Sequence, residues 1–572
     1  MGKTPISDFV IPTLLLIDGL VCALMAIFAH TVGLDPNAAW GRARYFLLLL
    51  GLVLALASAG IIYFNKKEGG FFESIIKSEP IKTIFLFGHL WVFIFAVYAW
   101  FITFGNFTTW NHTTRYYTQL ADAFGRGQLY VDADPGEALL AAKNPYSTTD
   151  RPAFNDEIWD MSLYKGKLYL YWGPVPALLI TPIQFFTDAK VTDIYLVYFF
   201  FCGLLIFNSL IILKLWRLFF ANIPLWNVIP VIIIVGFILP IPWSLNRPEV
   251  YQAAIGAGQF FLMGGIYLVI LAFEKSPDIK GKALFWAGLF WACSVGSRAM
   301  NVLAIVFMVM LIMFWYFNMS KPVNWIRYIQ ALVPLFIPLA AGAIIIGWYN
   351  WARFDSPLEF GLRYQITIHN LNELMGLTFQ ADYFFPNIYA YVFQPFEFIS
   401  KFPFIQPLTV AGLFEELGIT SPKIYFGGRL TGFLVYAPFL FFAFLPLFTK
   451  IRREDNNETD SYRYKFIVSL LAISFIINFL GLLFFFFGQL RYSVDVISQI
   501  TLLAIIGYWE LISKNQKSKS ISSKYFAKLA NLLVVITISA SFLLAFSSET
   551  NRMETLNPLL MERINGFFTI SK

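Results

Sequence analysis

The feature that most constrains this chain is a series of apolar runs, each long enough to cross a lipid bilayer as a helix. A spanning helix needs about 20 predominantly apolar residues, and such runs recur along most of the 572-residue sequence. Only 13% of the residues are charged, against about 25% in a typical soluble domain. Much of the surface must therefore face lipid, which excludes a soluble fold.

These runs predict an all-α, polytopic transmembrane helical bundle with about 13 spans. The segment 169–186 is also apolar, but Pro174, Pro176 and Pro182 remove backbone hydrogen-bond donors from it. The candidate spans are 10–32, 45–64, 83–104, 191–213, 225–245, 253–273, 283–298, 300–317, 329–349, 430–449, 466–487, 496–513 and 526–546.

The distribution of Lys and Arg predicts how the bundle is oriented. Basic residues cluster in six short loops, which all lie in the cytoplasm if the amino terminus does. The first long loop (105–168) and the second long loop (350–429) then face outward. The basic pair Lys214/Arg217 obeys this rule only if 169–186 does not cross completely, so we expect that segment to be bent or partly inserted. Short interfacial helices are predicted at 370–377 and 395–402, and the expected location is a bacterial cytoplasmic membrane.

Several function classes find no support in the composition. The net charge is +7, but the basic residues lie between apolar runs, which argues against nucleic-acid binding. The four histidines and three cysteines show no metal-ligand spacing. No cofactor is therefore predicted to be required, although a divalent cation is left open.

The first long loop carries two candidate acids and a pair of lysines. Asp122 lies in a helical pattern over 116–124, where it would face either a substrate cleft or water. Asp160 precedes a predicted hairpin that carries Lys165 and Lys167 around Gly166. Ammonium groups can bind phosphate, and a carboxylate can accept a proton from an attacking hydroxyl. The alternative is a charged anchor at the membrane interface.

Further charges lie at the ends of predicted spans. Arg247 and Glu249 precede one span, and Arg298 interrupts an apolar stretch. Charges near membrane depth are functional candidates. The alternatives are a local ion pair for the first two and an arginine that extends to the interface for the third.

The second half of the chain adds four polar candidates. Arg363 and Tyr364 lie in the second long loop. Arg491 and Asp495 are four residues apart, which places them on one helical face, where they would either pair or line a pocket.

Taken together, these motifs resemble the GT-C superfamily of membrane glycosyltransferases, in particular its family 39-like members. The resemblance rests on Tyr117-x-x-x-Ala121 before Gly127, the Pro-rich segment after Trp172, Arg353-Phe-Asp-Ser-Pro and Arg491-Tyr-x-x-Asp495. It covers 83–513, preceded by two additional helices in 1–82 and followed by a basic loop, a last helix and a short tail in 514–572. It implies an active site at the outer membrane face and a polyprenyl-phosphate-linked sugar donor.

The sequence departs from the family at the usual acidic pair, where Thr113 and Thr114 stand beside His112. Asp160 is therefore the first candidate for the general base and Asp122 the second. The family's Lys-Pro step reads Trp172-Gly-Pro, so lipid phosphate is expected at other cations. The predicted phosphate ligands are Lys165, Lys167 and Arg298, and the predicted sugar or acceptor pocket contains Arg247, Glu249, Arg363, Tyr364, Arg491 and Asp495.

The resulting prediction is a membrane glycosyltransferase of the cell envelope that moves a hexose or pentose. Its partners would be a polyprenyl-phosphate sugar, the lipid bilayer and a glycan, lipid or protein acceptor. Two alternatives stay open, a transporter or flippase for a lipid-linked saccharide and a GT-C-like scaffold without activity.

Overall fold

The computed structural model is predominantly helical. It describes residues 8–30, 35, 37–64, 78–107, 109–110, 114–274, 278–410, 412–418, 420, 422, 424–448, 458–517, 521–547 and 552–568. In chain order the helices are α1 (Val10–Phe28), α2 (Arg42–Phe64), α3 (Glu79–Ile102), α4 (Tyr116–Gly125), α5 (Glu137–Leu140), α6 (Val175–Phe186), α7 (Asp193–Phe219), α8 (Val228–Phe237), α9 (Pro240–Leu245), α10 (Val250–Ala272), α11 (Gly281–Val295), α12 (Asn301–Met319), α13 (Trp325–Phe354), α14 (Leu371–Leu374), α15 (Phe384–Ile388), α16 (Leu413–Glu416), α17 (Phe433–Tyr436), α18 (Leu445–Phe448), α19 (Glu458–Leu483), α20 (Val494–Lys517), α21 (Ile521–Ala545), α22 (Arg552–Leu556) and α23 (Pro558–Phe568).

Within the described residues, eleven helices are long and apolar enough to cross a membrane. The predicted polytopic helical bundle is therefore confirmed, and the protein is a multi-pass membrane protein. Helix α6 has 12 residues, or about 18 Å of length, which is short of the roughly 30 Å hydrocarbon core. This agrees with the prediction that 169–186 does not cross completely.

Two of the predicted spans differ from the structure. The span expected at 430–449 is a series of short pieces, α17, a 3₁₀ helix at Pro438–Phe444 and α18, because Pro438 and Pro446 interrupt regular helical hydrogen bonding. The span expected at 283–298 is α11, which has 15 residues.

The chain divides into two compact units, of which the first comprises 1–111 and 221–229. Its α1 and α2 approach closely at a pair of glycines. A Cβ built on Gly19 would lie 2.7 Å from the carbonyl oxygen of Gly51, and one on Gly51 would lie 2.6 Å from that of Gly19. Only glycine permits this distance, as at other packed membrane helices. His89 on α3 contacts Asp18 on α1 at 2.7 Å.

The second unit comprises 112–220 and 230–572. Its helices pack aromatic rings against glycines, since a Cβ on Gly265 of α10 would lie 2.3 Å from the Trp291 ring of α11. The Trp291 indole N–H donates to the Leu262 carbonyl at 3.2 Å, so the buried ring is also hydrogen-bonded. These contacts fix α10, whose first turn contributes to the cavity described below.

Among the described residues, the loops of the second unit contain seven short strands, namely β1 (Ser162–Tyr164), β2 (Lys167–Tyr169), β3 (Phe396–Phe398), β4 (Ile405–Thr409), β5 (Phe426–Gly427), β6 (Arg429–Leu430) and β7 (Phe487–Gly488). β1 and β2 form an antiparallel hairpin in which Tyr164 pairs with Lys167. Lys165 and Gly166 between them have φ of 49° and 75°, as the tightest hairpin turns require. The predicted hairpin is therefore confirmed.

The second long loop differs in part from the prediction. The helix expected at 370–377 is present as α14 and a 3₁₀ turn at Met375–Leu377. The helix expected at 395–402 is wrong, because Phe396 to Phe398 form β3, which pairs with β4. Alternating aromatic residues favour a strand. β4 continues to β6 in a three-stranded antiparallel sheet, and β5 pairs in parallel with β7.

Candidate functional site

A cavity of about 480 Å³ lies in the second unit, where both long loops meet the segment before α20. Its acidic and basic residues are Asp160, Arg247, His369, Arg429 and Arg491. Its aromatic wall is formed by Trp159, Tyr171, Tyr251, Phe426, Phe485, Phe486, Phe487 and Tyr492. An aromatic cavity with a few converging polar groups is typical of a small-molecule site.

The backbone of Asp160 is held by the second long loop. Its N–H donates to the Ile366 carbonyl at 2.9 Å, and its own carbonyl accepts from the Gln365 side chain at 3.0 Å. Asp160 has a φ of 59°, a left-handed conformation that Asp tolerates better than most residues. Two loops that are distant in sequence thus determine together where this carboxylate points.

The Asp160 carboxylate is positioned by Tyr251 in the first turn of α10. The Tyr251 hydroxyl donates to Oδ2, and the Thr367 side chain also favours the charged form. Oδ1 is buried and has no hydrogen-bond partner within the described part of the chain. Burial raises the pKa of the Asp160 carboxyl above its usual range despite these contacts. A buried carboxylate with a raised pKa has the properties of a general base.

Arg491 supplies a positive charge that acts on the Asp160 carboxylate. Its side chain is 7% exposed, and its guanidinium carbon lies 4.1 Å from the centre of the Tyr251 ring. No carboxylate forms an ion pair with Arg491 among the described residues, and its Nε has no hydrogen-bond partner there. A buried guanidinium without a carboxylate is suited to an anionic ligand.

Arg247 lines the same cavity and forms an ion pair. Its Nε donates to Glu249 Oε2 at 2.7 Å. The other oxygen of Glu249 accepts from Arg552 Nη2 at 2.8 Å. The predicted local pair of Arg247 and Glu249 is therefore present, and a second arginine joins it from the C-terminal segment.

His369 adds an imidazole to the cavity. Its ring packs edge-on against Phe426 at 5.3 Å, and its Nε2 has no hydrogen-bond partner among the residues described. Partial burial lowers the pKa of His369, which favours the neutral ring. A neutral imidazole can donate or accept a hydrogen bond with a ligand.

Arg298 and Asp495 lie outside the residues that line the cavity. They form a buried pair at 2.8 Å, in which Asp495 is 1% exposed. The α10 residue Gln259 donates to the Asp495 carbonyl at 2.9 Å. Asp495 thus pairs with Arg298 and not with Arg491, its neighbour on the helical face, so the charge of Arg298 is already compensated.

Lys165 and Lys167 also lie away from the cavity lining. The turn of the hairpin directs Lys165 to Asp355, at 2.6 Å in an exposed ion pair, which lowers the pKa of Asp355. The Lys167 ammonium lies 4.3 Å from the centre of the Tyr130 ring. The three predicted phosphate ligands therefore do not converge on this cavity.

The remaining predicted site residues have partners elsewhere in the second unit. Asp122 binds Lys190 at 2.8 Å and accepts from Gln184 at 2.7 Å. Arg363 pairs with Glu359 at 3.1 Å. Tyr364 packs on the Tyr164 ring of the hairpin at 4.7 Å.

Thr114 contacts a buried acid that the sequence analysis did not identify. Its hydroxyl donates to Asp193 at the start of α7 and accepts from the Val250 N–H at 2.9 Å. Asp193 also accepts from the backbone N–H groups of Tyr116 and Tyr117, each at 3.1 Å. Asp193 therefore caps α4 from another helix, while His112 and Thr113 lie outside the described residues.

The contacts that complete the site come from residues that carry no local motif. Tyr251 follows the predicted Arg247 by four residues, and Thr367 and His369 directly precede the interfacial helix predicted at 370–377. The run Phe485 to Phe487, just before Gln489-Leu-Arg491, was the signal that could have located the aromatic wall.

Comparisons with known proteins give the following. No protein-family model matches this chain, and no curated protein matches it. It is similar to a crystal structure of the Archaeoglobus fulgidus oligosaccharyltransferase tethered with an acceptor peptide, at 13% identity and a TM-score of 0.46, over 81% of this chain and 55% of that one. It is also similar to the archaeal oligosaccharyltransferase AglB from Archaeoglobus fulgidus in complex with an inhibitory peptide and a dolichol-phosphate, at 11% identity and a TM-score of 0.42, over 82% of this chain and 56% of that one. The chain thus spans about half the length of these structures.

Proposed function

We propose that this protein is a glycosyltransferase that moves a sugar from a polyprenyl-phosphate donor to an acceptor at the outer face of a bacterial cytoplasmic membrane. The observation that carries the proposal is that a partly buried acid and a buried arginine line one aromatic cavity. Asp160 is a carboxylate with a raised pKa, and Arg491 is a guanidinium without a carboxylate partner in the described chain. Asp160 contacts the Tyr251 hydroxyl and Arg491 contacts the Tyr251 ring, so the proposed base and the proposed anion-binding group share one neighbouring side chain.

In the proposed reaction Arg491 binds the donor phosphate and Arg247 assists it. Phosphate leaves with the electrons of its bond to the anomeric carbon, so its negative charge increases in the transition state. A guanidinium in a water-poor site therefore stabilises the transition state, in which the phosphate carries more negative charge, more strongly than it stabilises the ground state. Tyr251 holds the Arg491 plane by a cation–π contact, which keeps the donor groups oriented at no further entropic cost.

Asp160 then accepts the proton of the acceptor. The acceptor oxygen or nitrogen attacks the anomeric carbon, the bond to the new acceptor forms, and the bond to the phosphate oxygen breaks. The acceptor proton passes to Oδ1 of Asp160, the oxygen that has no hydrogen-bond partner among the described residues. A raised pKa favours this transfer near neutral pH, because a stronger base takes the proton more readily.

The aromatic wall suits the sugar ring. Phe485, Phe486 and Phe487 present apolar faces to the cavity, against which the C–H groups of a hexose or pentose can pack, while Gln489 and His369 offer polar contacts to its hydroxyls. Such a mixture of aromatic surface and few polar groups fixes the orientation of a small ligand. The proposed acceptor is a glycan, lipid or protein group of the cell envelope.

The test uses the full chain in proteoliposomes with a radiolabelled polyprenyl-phosphate sugar and a membrane extract as acceptor source. Asp160→Asn should lower turnover by about 10²–10⁴-fold, the usual contribution of a general base, and should keep the binding of the lipid phosphate. The matched control is Asp156→Asn, because Asp156 is an exposed acid four residues earlier that does not line the cavity. Equal turnover in both variants would remove Asp160 from the mechanism.

The same preparation separates the two alternatives. A transporter or flippase would move the intact labelled lipid between leaflets with no new glycosidic bond. An inactive scaffold would bind the donor, but it would neither move the lipid between leaflets nor form a new glycosidic bond. Label in a new covalent product, lost in Asp160→Asn, supports the transferase.

A further inference from the structure

A second cavity in the second unit lies between the C-terminal helices and the segment 400–404. Its volume is about 390 Å³, which is within the range of small-ligand pockets. A smaller cavity of about 200 Å³ shares Lys401, Phe402 and Met561 with it, and we call the two together the C-terminal groove. The residues of α23 that line it are Pro558, Met561, Glu562, Asn565 and Phe568. Their spacing places them on one face of the helix.

The opposite face of α23 is apolar and exposed. Leu559 is 66% exposed and Phe567 is 83% exposed, and both lie about half a helical turn away from the groove residues. Helix α23 follows the long apolar helix α21, with the short α22 between them. An amphipathic helix near the end of a spanning helix suits the membrane interface. The C-terminal groove is therefore within reach of phospholipid headgroups.

Aromatic rings form the apolar wall of the groove. The Phe402 and Phe568 rings stack at 5.6 Å between centroids with an interplanar angle of 4°, and Phe404 packs edge-on against Phe568 at 5.3 Å. The Phe402 backbone N–H donates to the Asn565 side-chain oxygen at 3.2 Å. These contacts join the segment 400–404 to α23, so the two walls of the groove are held together.

Charges of both signs line the groove. Lys401 lies in a turn that the Phe404 N–H closes by donating to the Lys401 carbonyl at 2.8 Å. Glu554 of α22 and Glu562 of α23 line the same cavity. None of these three side chains forms an ion pair with another residue in the part of the chain that the structure describes. One ammonium group and two carboxylates around one cavity are complementary to a ligand that carries both a negative and a positive charge.

We propose that the C-terminal groove binds a phospholipid whose headgroup carries a phosphate and a primary ammonium group, as in phosphatidylethanolamine. Lys401 binds the phosphate, Glu554 and Glu562 bind the ammonium group, and the glycerol and upper acyl chains pack against the aromatic wall. This inference is independent of the proposed function, because none of the groove residues lines the cavity that contains Asp160.

The charges favour this headgroup over two other common ones. A primary ammonium group has three N–H donors for the carboxylates, whereas the quaternary ammonium of phosphatidylcholine has none. Phosphatidylglycerol has a phosphate but no positive charge, so Glu554 and Glu562 would repel it. All three groove side chains are exposed, and water screens their charges, so each contact should change binding only a few-fold.

The experiment is native mass spectrometry of the full chain, released from detergent micelles that contain equal amounts of phosphatidylethanolamine, phosphatidylcholine and phosphatidylglycerol with identical acyl chains. The parent should retain one phosphatidylethanolamine roughly five- to tenfold more often than either other lipid. Glu554→Lys combined with Glu562→Lys should reverse the preference toward phosphatidylglycerol. Lys401→Gln should lower the retention of all three lipids about threefold and keep the preference for phosphatidylethanolamine over phosphatidylcholine, since all three carry the phosphate.

The matched control changes the same amount of charge elsewhere in the second unit. Asp382→Lys combined with Glu416→Lys replaces two exposed acids that do not line the groove, and this variant should keep the parental preference. Glycerophosphoethanolamine, which is the headgroup without acyl chains, should not displace the lipid at the same concentration.

Three results would overturn the inference. The first is equal retention of the three lipids by the parent, a result that needs no variant to fold. The second is a preference for phosphatidylethanolamine that survives in Glu554→Lys with Glu562→Lys. The third is displacement by glycerophosphoethanolamine at the same concentration, which would assign the groove to a soluble ligand. Failure of the proposed function is distinguishable, because it would abolish none of these lipid preferences.

Discussion

The buried pair of Arg298 and Asp495 gives the sharpest prediction about stability. Asp495→Asn keeps the size of the side chain and removes its charge. Arg298 then keeps a positive charge among the helices, where its Nε and Nη2 had contacted Asp495 Oδ2 at 3.2 and 2.8 Å. Removing one partner of a buried pair costs about 3–5 kcal/mol. Because the Arg298 side chain is 15% exposed, some water reaches it, so we expect the lower end, about 3 kcal/mol.

That cost corresponds to a change of roughly a hundredfold in the ratio of folded to unfolded protein. The assay is reversible unfolding of the full chain in one detergent, followed by tryptophan fluorescence. The double variant Arg298→Gln with Asp495→Asn should recover most of the loss, because no uncompensated charge is left.

The matched control is Asp355→Asn, which breaks the ion pair with Lys165. That pair is shorter, at 2.6 Å, but both side chains are exposed, at 68% and 60%. Exposed pairs contribute little because water and salt screen them, so this variant should unfold almost as the parent does. The reasoning is refuted if Asp495→Asn is no less stable than Asp355→Asn, since burial would then not decide the cost.

Four further predictions follow from the cavity and its surroundings. Burial raises the pKa of Asp160, so kcat/KM should fall as the pH drops through that raised pKa, at a pH above the usual value of about 3.9 for Asp; a profile that is flat down to pH 4 would contradict this. Arg491→Lys loses the planar fork and should raise KM for the donor about tenfold or more, and an unchanged KM would exclude phosphate binding there. A chelator should leave turnover unchanged, because Arg491 provides the proposed charge; loss of activity restored by a divalent cation would disprove this. Thr114→Val leaves polar groups of Asp193 and Val250 without this partner and should cost about 1–3 kcal/mol of unfolding free energy, whereas parental stability would show that the cap of α4 does not depend on it.

The architecture could be predicted because a membrane imposes it locally. Apolar runs of about 20 residues must form helices in lipid, and the hairpin at Lys165 and Gly166 needs only its own turn residues. The prediction failed where local pattern was ambiguous. The segment 395–402 was read as a helix, although its alternating phenylalanines pair with β4, a partner that sequence alone does not reveal.

Only part of the site could be predicted, because residues that are close in sequence need not lie close together in the fold. Asp160, Arg247 and Arg491 are predicted site residues, and all three line one cavity. Lys165 is a predicted phosphate ligand because its hairpin precedes the point where the chain enters the bilayer, yet the turn directs it to Asp355. Arg298 pairs with Asp495, which lies 197 residues later in the chain. No short sequence motif includes both residues.

The hydrogen bonds that hold the Asp160 backbone also constrain the order in which the site can assemble during synthesis. The Gln365 side chain that holds its carbonyl lies 205 residues further along the chain, and Arg491 follows later still. Asp160 is therefore synthesised long before the loop that orients it, so the arrangement of the proposed site cannot be complete until Gln365 and Arg491 have been synthesised. A chain truncated before residue 365 would contain Asp160 without holding it in place. Two fragments divided between these loops would regain activity only by reassembling, which makes split-chain complementation in cells a direct measure of assembly.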